Sequence, residues 1–111
     1  MQTRSTQRGL ELTEIGLGAA QLGNLYRETT DAEVEEGVAA AWDAGVRYFD
    51  TAPHYGLGLS ERRLGEQLRT HPRDEYVISS KVGKLLVPNP GGEDRMDDEG
   101  FAVPAVTKRQ W

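Results

Sequence analysis

Cysteine is absent from all 111 residues. Without a thiol there is no disulfide framework and no thiolate metal site, which excludes a stapled secreted scaffold and makes a reducing cytoplasm the default compartment. Long apolar runs are missing as well. The basic stretch Met1-Gln2-Thr3-Arg4-Ser5-Thr6-Gln7-Arg8 leads into nothing long enough for a signal peptide, and no later segment approaches a membrane span. Positive charge is scarce and scattered: 13 Lys and Arg stand among 18 Asp and Glu, for a net charge of −5. No clustered basic surface therefore exists for nucleic-acid phosphates. The adjacent pair Arg62-Arg63 reads as the solvated face of a short helix. With 37% hydrophobic residues, the expectation is a cytoplasmic polypeptide of one domain at most that binds neither nucleic acid nor membrane.

What is present follows a strand and helix rhythm. Leu10-Glu11-Leu12-Thr13-Glu14-Ile15 alternates apolar and polar, as an exposed strand or hairpin arm does, and runs into the tight loop Gly16-Leu17-Gly18-Ala19-Ala20. A strand is expected over residues 15–19. Thr30-x-x-Glu33 is a capping box, after which Val34, Val38, Ala41 and Trp42 share one helical face until Gly45 closes the helix. The β-branched and aromatic run Val46-Arg47-Tyr48-Phe49-Asp50 is a strand that follows at once. Ser60 is placed to cap a second helix through Arg69, with Leu64 and Leu68 inward and Pro72 beyond its end; Tyr76-Val77-Ile78-Ser79-Ser80 is the third strand. This order implies parallel strands with right-handed crossovers, an α/β fold of doubly wound or (β/α) barrel type. From Leu85 the chain becomes rich in proline, glycine and acid, with no period, and is expected to be a long loop over residues 85–111.

Asp50 ends the second strand, Tyr55 lies five residues on in its exit loop, and Lys81 follows the third strand. Parallel neighbours run about 4.8 Å apart, so groups at their carboxyl ends can meet, at the edge where such folds place active sites. A tyrosine beside a lysine and an aspartate is a coherent acid–base unit. An ammonium close to a phenol favours the phenolate, and a carboxylate keeps that ammonium charged and aimed. Singly, each residue has an ordinary use: a strand-end aspartate caps loops, a loop tyrosine packs and a lone lysine faces solvent. Gly16-Leu17-Gly18-Ala19-Ala20-Gln21 is not a dinucleotide fingerprint, because Gln21 stands where the third glycine belongs.

The surroundings of these residues carry a specific resemblance. The run Tyr48-Phe49-Asp50-Thr51-Ala52-Pro53-His54-Tyr55-Gly56, followed by Ser60-Glu61-Arg62-Arg63-Leu64-Gly65 and a strand ending in Lys81, resembles the aldo-keto reductase family signature. The likeness extends over residues 9–81. Gly18-Ala19-Ala20-Gln21-Leu22-Gly23, Ala41-Trp42-Asp43-Ala44-Gly45 and Pro53-His54-Tyr55-Gly56-Leu57-Gly58 look most like its bacterial sugar and pyridoxal dehydrogenases, of the L-fucose or D-threo-aldose 1-dehydrogenase and pyridoxal 4-dehydrogenase type.

The resemblance implies a (β/α)₈ barrel, NAD or NADP as cofactor, and a carbonyl or sugar substrate. Asp50, Tyr55 and Lys81 match three members of an Asp-Tyr-Lys-His tetrad, with Tyr55 as general acid for reduction and general base for oxidation. The tetrad histidine belongs to a fourth strand; His54 and His71 do not match it, His54 reading as a packing or solvent residue, with substrate contact beside the catalytic loop as the alternative, and His71 as surface. Gly18, Ala19, Ala20 and Asp50 are the implied cofactor-binding positions. Many members carry Thr where this chain has Ala19, which bears on one side-chain contact. A complete barrel takes about 250 residues, so the expectation is an incomplete barrel domain over residues 1–111, with strands and helices over 1–84 and the long loop after them. The alternatives are a regulatory or binding module on the same barrel, and a truncation product without function.

Overall fold

The computed structural model describes residues 1–83, 85–88, 95–96, 100–103 and 107–110. The alternating N-terminal segment does form a hairpin. Strand β1 (Thr3–Ser5) pairs antiparallel with β2 (Glu11–Thr13), and Gly9, at φ 81, completes the turn between them. The buried Thr13 ties this hairpin to the sheet, since its hydroxyl donates to Ile15 O and accepts the Arg47 N–H.

Three parallel strands follow, β3 (Leu17–Gly18), β4 (Tyr48–Asp50) and β5 (Val77–Ser79), side by side in that order. Their register sets Gly18 beside Asp50 and Asp50 beside Ser79, so the strands end level with one another. Among the described residues β3 and β5 each pair on one side only.

Helix α1 (Asp31–Asp43) connects β3 to β4 and begins at the expected capping box: Thr30 accepts the Glu33 N–H while the Glu33 carboxylate accepts the Thr30 N–H. It ends in a Schellman motif. Val46 N–H bonds to Ala41 O and Gly45 N–H to Trp42 O, with Gly45 at φ 92. That conformation costs glycine little and a β-carbon more, which is why the helix stops there.

Helix α2 (Leu59–Leu68) connects β4 to β5, but Ser60 is not its cap. The chain enters through Leu57 at φ 50 and Gly58 at φ 91, the helix starts at Leu59, and the Ser60 side chain is drawn inward instead. Its hydroxyl donates to Ala19 O at 2.6 Å, which leaves Thr51 as donor in the 2.9 Å bond between the two hydroxyls.

Val34 and Val38 from α1 and Leu64 and Leu68 from α2 close over Phe49 on the central strand, all of them buried. Tyr76 meets Phe49 edge-on at 6.4 Å and Trp42 at 6.1 Å. His71, expected at the surface, is half-buried and stacks on Trp42 at 3.6 Å. Arg62 is exposed, but the other half of the expected solvated pair is not: the Arg63 side chain is 11% exposed and clamps the loop after β3, donating to Leu22 O, Asn24 Oδ1, Thr29 O and Asp31 Oδ1. Carbonyls crowded at a helix flank attract a fixed guanidinium fork, a demand no hydropathy pattern records.

The stretch expected as a loop over residues 85–111 contains paired backbone. Strand β6 (Leu85–Pro88) pairs antiparallel with β9 (Thr107–Gln110), and β7 (Arg95–Met96) with β8 (Ala102–Val103). Two- to four-residue ribbons need backbone partners rather than an apolar period, so composition alone did not reveal them. The rest of the expected loop, residues 89–94, 97–99, 104–106 and 111, lies outside the described residues, as does Lys84. No helix among the described residues is long and apolar enough to cross a membrane.

The cap gives a measurable consequence. Thr30→Ala is expected to lower stability by about 1 kcal/mol in urea unfolding. Glu33 is held below the ordinary carboxylate range, chiefly by its bond from the Thr30 backbone N–H and with help from Arg27 against desolvation. Because the value is depressed, the stability that the Glu33 carboxylate adds through the Thr30 N–H is present at neutral pH and is lost as the pH falls through that value. Unfolding curves for Thr30→Ala and wild type that coincide near neutrality would remove the cap from the account of α1.

Candidate active site

Two loops that leave the carboxyl edge of the sheet come into close backbone contact. A β-carbon on Gly23, after β3, would stand 2.4 Å from the Tyr55 carbonyl carbon, and one on Gly56, at φ 66, would stand 2.5 Å from Gly23 O. No side chain fits between them. The β4 exit loop is further fixed by Tyr55 N–H to Ala52 O, Leu57 N–H to His54 O and Ser60 N–H to Tyr55 O, at 3.1, 3.2 and 3.1 Å. Tyr55 is therefore held by its main chain, with a half-buried side chain left to face the edge.

Asp50, Tyr55 and Lys81 come together there, as their placement at strand ends implied. Lys81 Nζ donates to Asp50 Oδ2 and to Thr51 O, both at 2.8 Å, and lies 4.9 Å from the centre of the Tyr55 ring. Asp50 Oδ1 accepts the Ser79 hydroxyl at 2.5 Å. Because a carboxylate only accepts, Ser79 spends its proton on Asp50, and Tyr48 OH is the donor in its 3.0 Å bond to Ser79 Oγ. The resulting line runs from Tyr48 through Ser79 and Asp50 to Lys81.

This network sets the charges. The Lys81 ammonium, and after it the Ser79 hydroxyl, hold the Asp50 carboxyl below the usual carboxylate range, with burial acting weakly the other way. Lys81 is raised above the usual ammonium range, first by its bond to Asp50, against some desolvation, and then by Tyr55. The pair is half-open to solvent, with Lys81 48% and Asp50 37% exposed, so its role is to fix a charge in place rather than to add much stability.

Lys81 and Tyr55 border a cavity of about 280 Å³ lined also by Ala52, Pro53, His54, Val82 and Phe101. His54 is buried, as the packing reading of that residue expects, and packs edge-on against Phe101. The expected cofactor positions divide. Gly18 is exposed at the end of β3 with open space where a β-carbon would stand, and Ala20 is half-buried. Ala19 has no exposed surface: its N–H bonds Asp50 O and its carbonyl accepts Ser60, so both of its backbone groups are engaged inside the sheet edge. Ala19 is thus a core residue of the sheet edge, with Gly18 and Ala20 on either side of it more open. Sequence reading also missed Ser79, whose signal was its place in register beside Asp50, and Gly23 with Gly56, whose contact spans 33 positions and leaves no local trace.

Three level parallel strands joined by helices, with an acid, a phenol and an ammonium at the carboxyl edge, fit the N-terminal part of a (β/α)₈ barrel. The structure of an aldo-keto reductase from Bacillus halodurans matches 94% of the chain at a TM-score of 0.64 and 24% identity, and the chain covers 30% of it. The sequence pattern of the Aldo/keto reductase family matches residues 14–104, and the chain belongs to that family. It is 54% identical over 107 residues to D-threo-aldose 1-dehydrogenase of a Pseudomonas species, covering 93% of this chain and 32% of that protein. It is also 49% identical over 78 residues to pyridoxal 4-dehydrogenase of Microbacterium luteolum, covering 70% of this chain and 22% of that one. The chain thus spans a third or less of the length of these relatives.

The shifts predict a titration. A depressed Asp50 gives the pair stability that is lost as pH falls through the depressed value, and a raised Lys81 gives stability lost as pH rises through the raised one. The pair is therefore intact across a window wider on both sides than the free groups would allow. In carbon-detected NMR, Lys81→Met is expected to move the Asp50 carboxyl midpoint up toward the ordinary aspartate range, and Ser79→Ala to move it less far in the same direction. A midpoint unmoved by Lys81→Met would show that the ion pair does not form in solution.

Proposed function

We propose that the chain is the N-terminal part of an NAD(P)-dependent oxidoreductase that transfers a hydride between a nicotinamide and an aldehyde, ketone or sugar, in the manner of an aldose dehydrogenase. One observation carries the reading. A lysine ammonium, fixed by Asp50 and the Thr51 carbonyl at 2.8 Å each, stands over the ring of a tyrosine at the mouth of a cavity. No packing need explains an ammonium held in that way. The likeness to D-threo-aldose 1-dehydrogenase favours a sugar hemiacetal as substrate.

Gly18, Ala20 and Asp50 are the residues of this chain that would hold the nicotinamide end of the cofactor; the bare strand end at Gly18 leaves room for a flat group beside Asp50. When bound, that cofactor supplies or accepts the hydride at carbon. The protein's own part is the proton at oxygen. In reduction the Tyr55 hydroxyl gives its proton to the carbonyl oxygen as the carbon receives the hydride, leaving a phenolate that the Lys81 ammonium stabilises. In oxidation the phenolate takes the proton back from the alcohol. Asp50 keeps Lys81 charged and pointed at the ring throughout, since two of its three donors are already committed away from bulk solvent.

In the full-length protein, Tyr55→Phe is expected to lower turnover by about 10²–10⁴-fold, the usual contribution of general acid–base catalysis, with cofactor affinity nearly unchanged. Steady-state kinetics and nicotinamide fluorescence separate the two effects. A variant that keeps more than about a tenth of the wild-type rate would remove Tyr55 from the acid role.

Residues 1–111 alone are expected not to turn over. Among the described residues three strands leave the sheet open at β3 and β5, and unpaired edges recruit other chains. Self-association and no NAD(P)H binding are the expected outcome for the isolated piece. A monomer with a cooperative melt that binds NAD(P)H at micromolar concentration would overturn this.

A further inference from the structure

Phe101 belongs to none of the motifs behind the proposed chemistry, yet its ring walls the cavity at Tyr55. The two rings lie 5.6 Å apart with planes 27° from parallel, and His54 meets Phe101 edge-on at 5.2 Å and 84°. At 4% exposed, Phe101 is as buried as the sheet core, although the composition around it is that of a surface loop.

Backbone contacts deliver it there. Tyr26 N–H donates to Gly100 O at 2.7 Å, and Leu25 forms an antiparallel bridge with Phe101. Both sides of this clasp carry a left-handed residue, Tyr26 at φ 62 and Gly100 at φ 91. A β-carbon on Gly100 would stand 2.6 Å from a ring carbon of the exposed Tyr26, so that ring lies directly over Gly100. The clasp joins the connection after β3 to the one after β5, across the exit of β4, which carries Tyr55. A non-glycine residue such as Tyr26 adopts positive φ only where tertiary contacts offset the strain. The observed contacts are those that place Phe101.

We propose that Phe101 is a specificity-determining residue: a fixed apolar wall that limits what reaches the Tyr55 hydroxyl to a compact carbonyl compound or single sugar ring, held in place by the clasp of Leu25 and Tyr26 on Gly100 and Phe101. Phe101 is one wall of the cavity of about 280 Å³ that Tyr55 and Lys81 border, so a group approaching Tyr55 on that side meets an apolar ring. The substrate half of this inference rests on the oxidoreductase reading; the wall itself does not.

Two measurements on the full-length protein separate these halves. The first is the rate of Tyr55 nitration by tetranitromethane, followed by peptide mass spectrometry, in wild type and variant side by side. Phe101→Ala is expected to speed Tyr55 nitration severalfold over wild type; an unchanged rate overturns the wall, whatever the enzyme does. The second is the ratio of kcat/KM for 2-naphthaldehyde to that for a compact aldose. Phe101→Ala is expected to raise this ratio about tenfold or more, mainly through KM, a change of the size a pocket wall controls. Phe101→Leu should fall between, and Gly100→Ala, which disturbs only the clasp, should move the ratio the same way. A wild-type ratio in Phe101→Ala despite faster nitration overturns the specificity role. Should the wild-type protein turn over no carbonyl or sugar at all, the oxidoreductase reading and the substrate half fail together, and nitration still decides the wall.

Discussion

The carbonyl and the carboxylate of Asp50 are bonded in opposite directions across the sheet. The carbonyl accepts Ala19 N–H at the end of β3, and the carboxylate accepts Ser79 and Lys81 at the end of β5. One residue on the central strand thus fixes the ends of both neighbours. The level edge, the aim of Lys81 and the position of the β4 exit loop all follow from that arrangement. Because β4 is central, Phe49 just before Asp50 faces the helices and is fully buried. Burying such a ring is worth about 1.5–3 kcal/mol, against about 0–1 kcal/mol for a half-exposed ion pair. Stability therefore comes from Phe49 and geometry from Asp50, on consecutive residues of one strand.

Features written within a few residues of one another were legible in the sequence. The Thr30 and Glu33 capping box, the stop at Gly45, the inward Leu64 and Leu68 and the three short strands are local, and each is set by backbone demands that residue types reveal directly. The shared edge of Asp50, Tyr55 and Lys81 was legible too, because parallel strands must end on the same side. Contacts between distant loops were not. Ser60 has the spacing of a cap, but the left-handed entry at Leu57 and Gly58 shifts the helix start and frees its hydroxyl for Ala19 and Thr51. Arg63 has the neighbours of a surface residue, but the carbonyls it binds come from residues about 34–41 positions earlier, in a loop whose course no periodicity describes. Ala19 matched a family position for the cofactor, and the same two hydrogen bonds that build the sheet edge turn it inward.

The division between strand and loop bears on the proposed chemistry. Asp50 and Ser79 lie on strands and Lys81 lies two residues beyond one, where paired neighbours limit movement. Tyr55 lies in a loop, which by itself is a poor place for a group that must meet a substrate to within a fraction of an ångström. Backbone contact resolves the difficulty. With Gly23 and Gly56 pressed together, the loop after β4 rests on the loop after β3, and neither can shift without opening main-chain contacts that no side chain would refill.

Arg63 completes the same logic from outside. Its guanidinium holds Leu22 O, Asn24 Oδ1 and Thr29 O on the loop after β3, and that loop is the surface on which both Gly56 and the Gly100 and Phe101 segment rest. The first loop is the common support: Gly23 carries the turn that presents Tyr55, Leu25 and Tyr26 carry the residue that walls it. An arginine that touches neither the cavity nor the charged pair consequently supports both Tyr55 and Phe101, because its rigid fork fixes the one loop on which both rest.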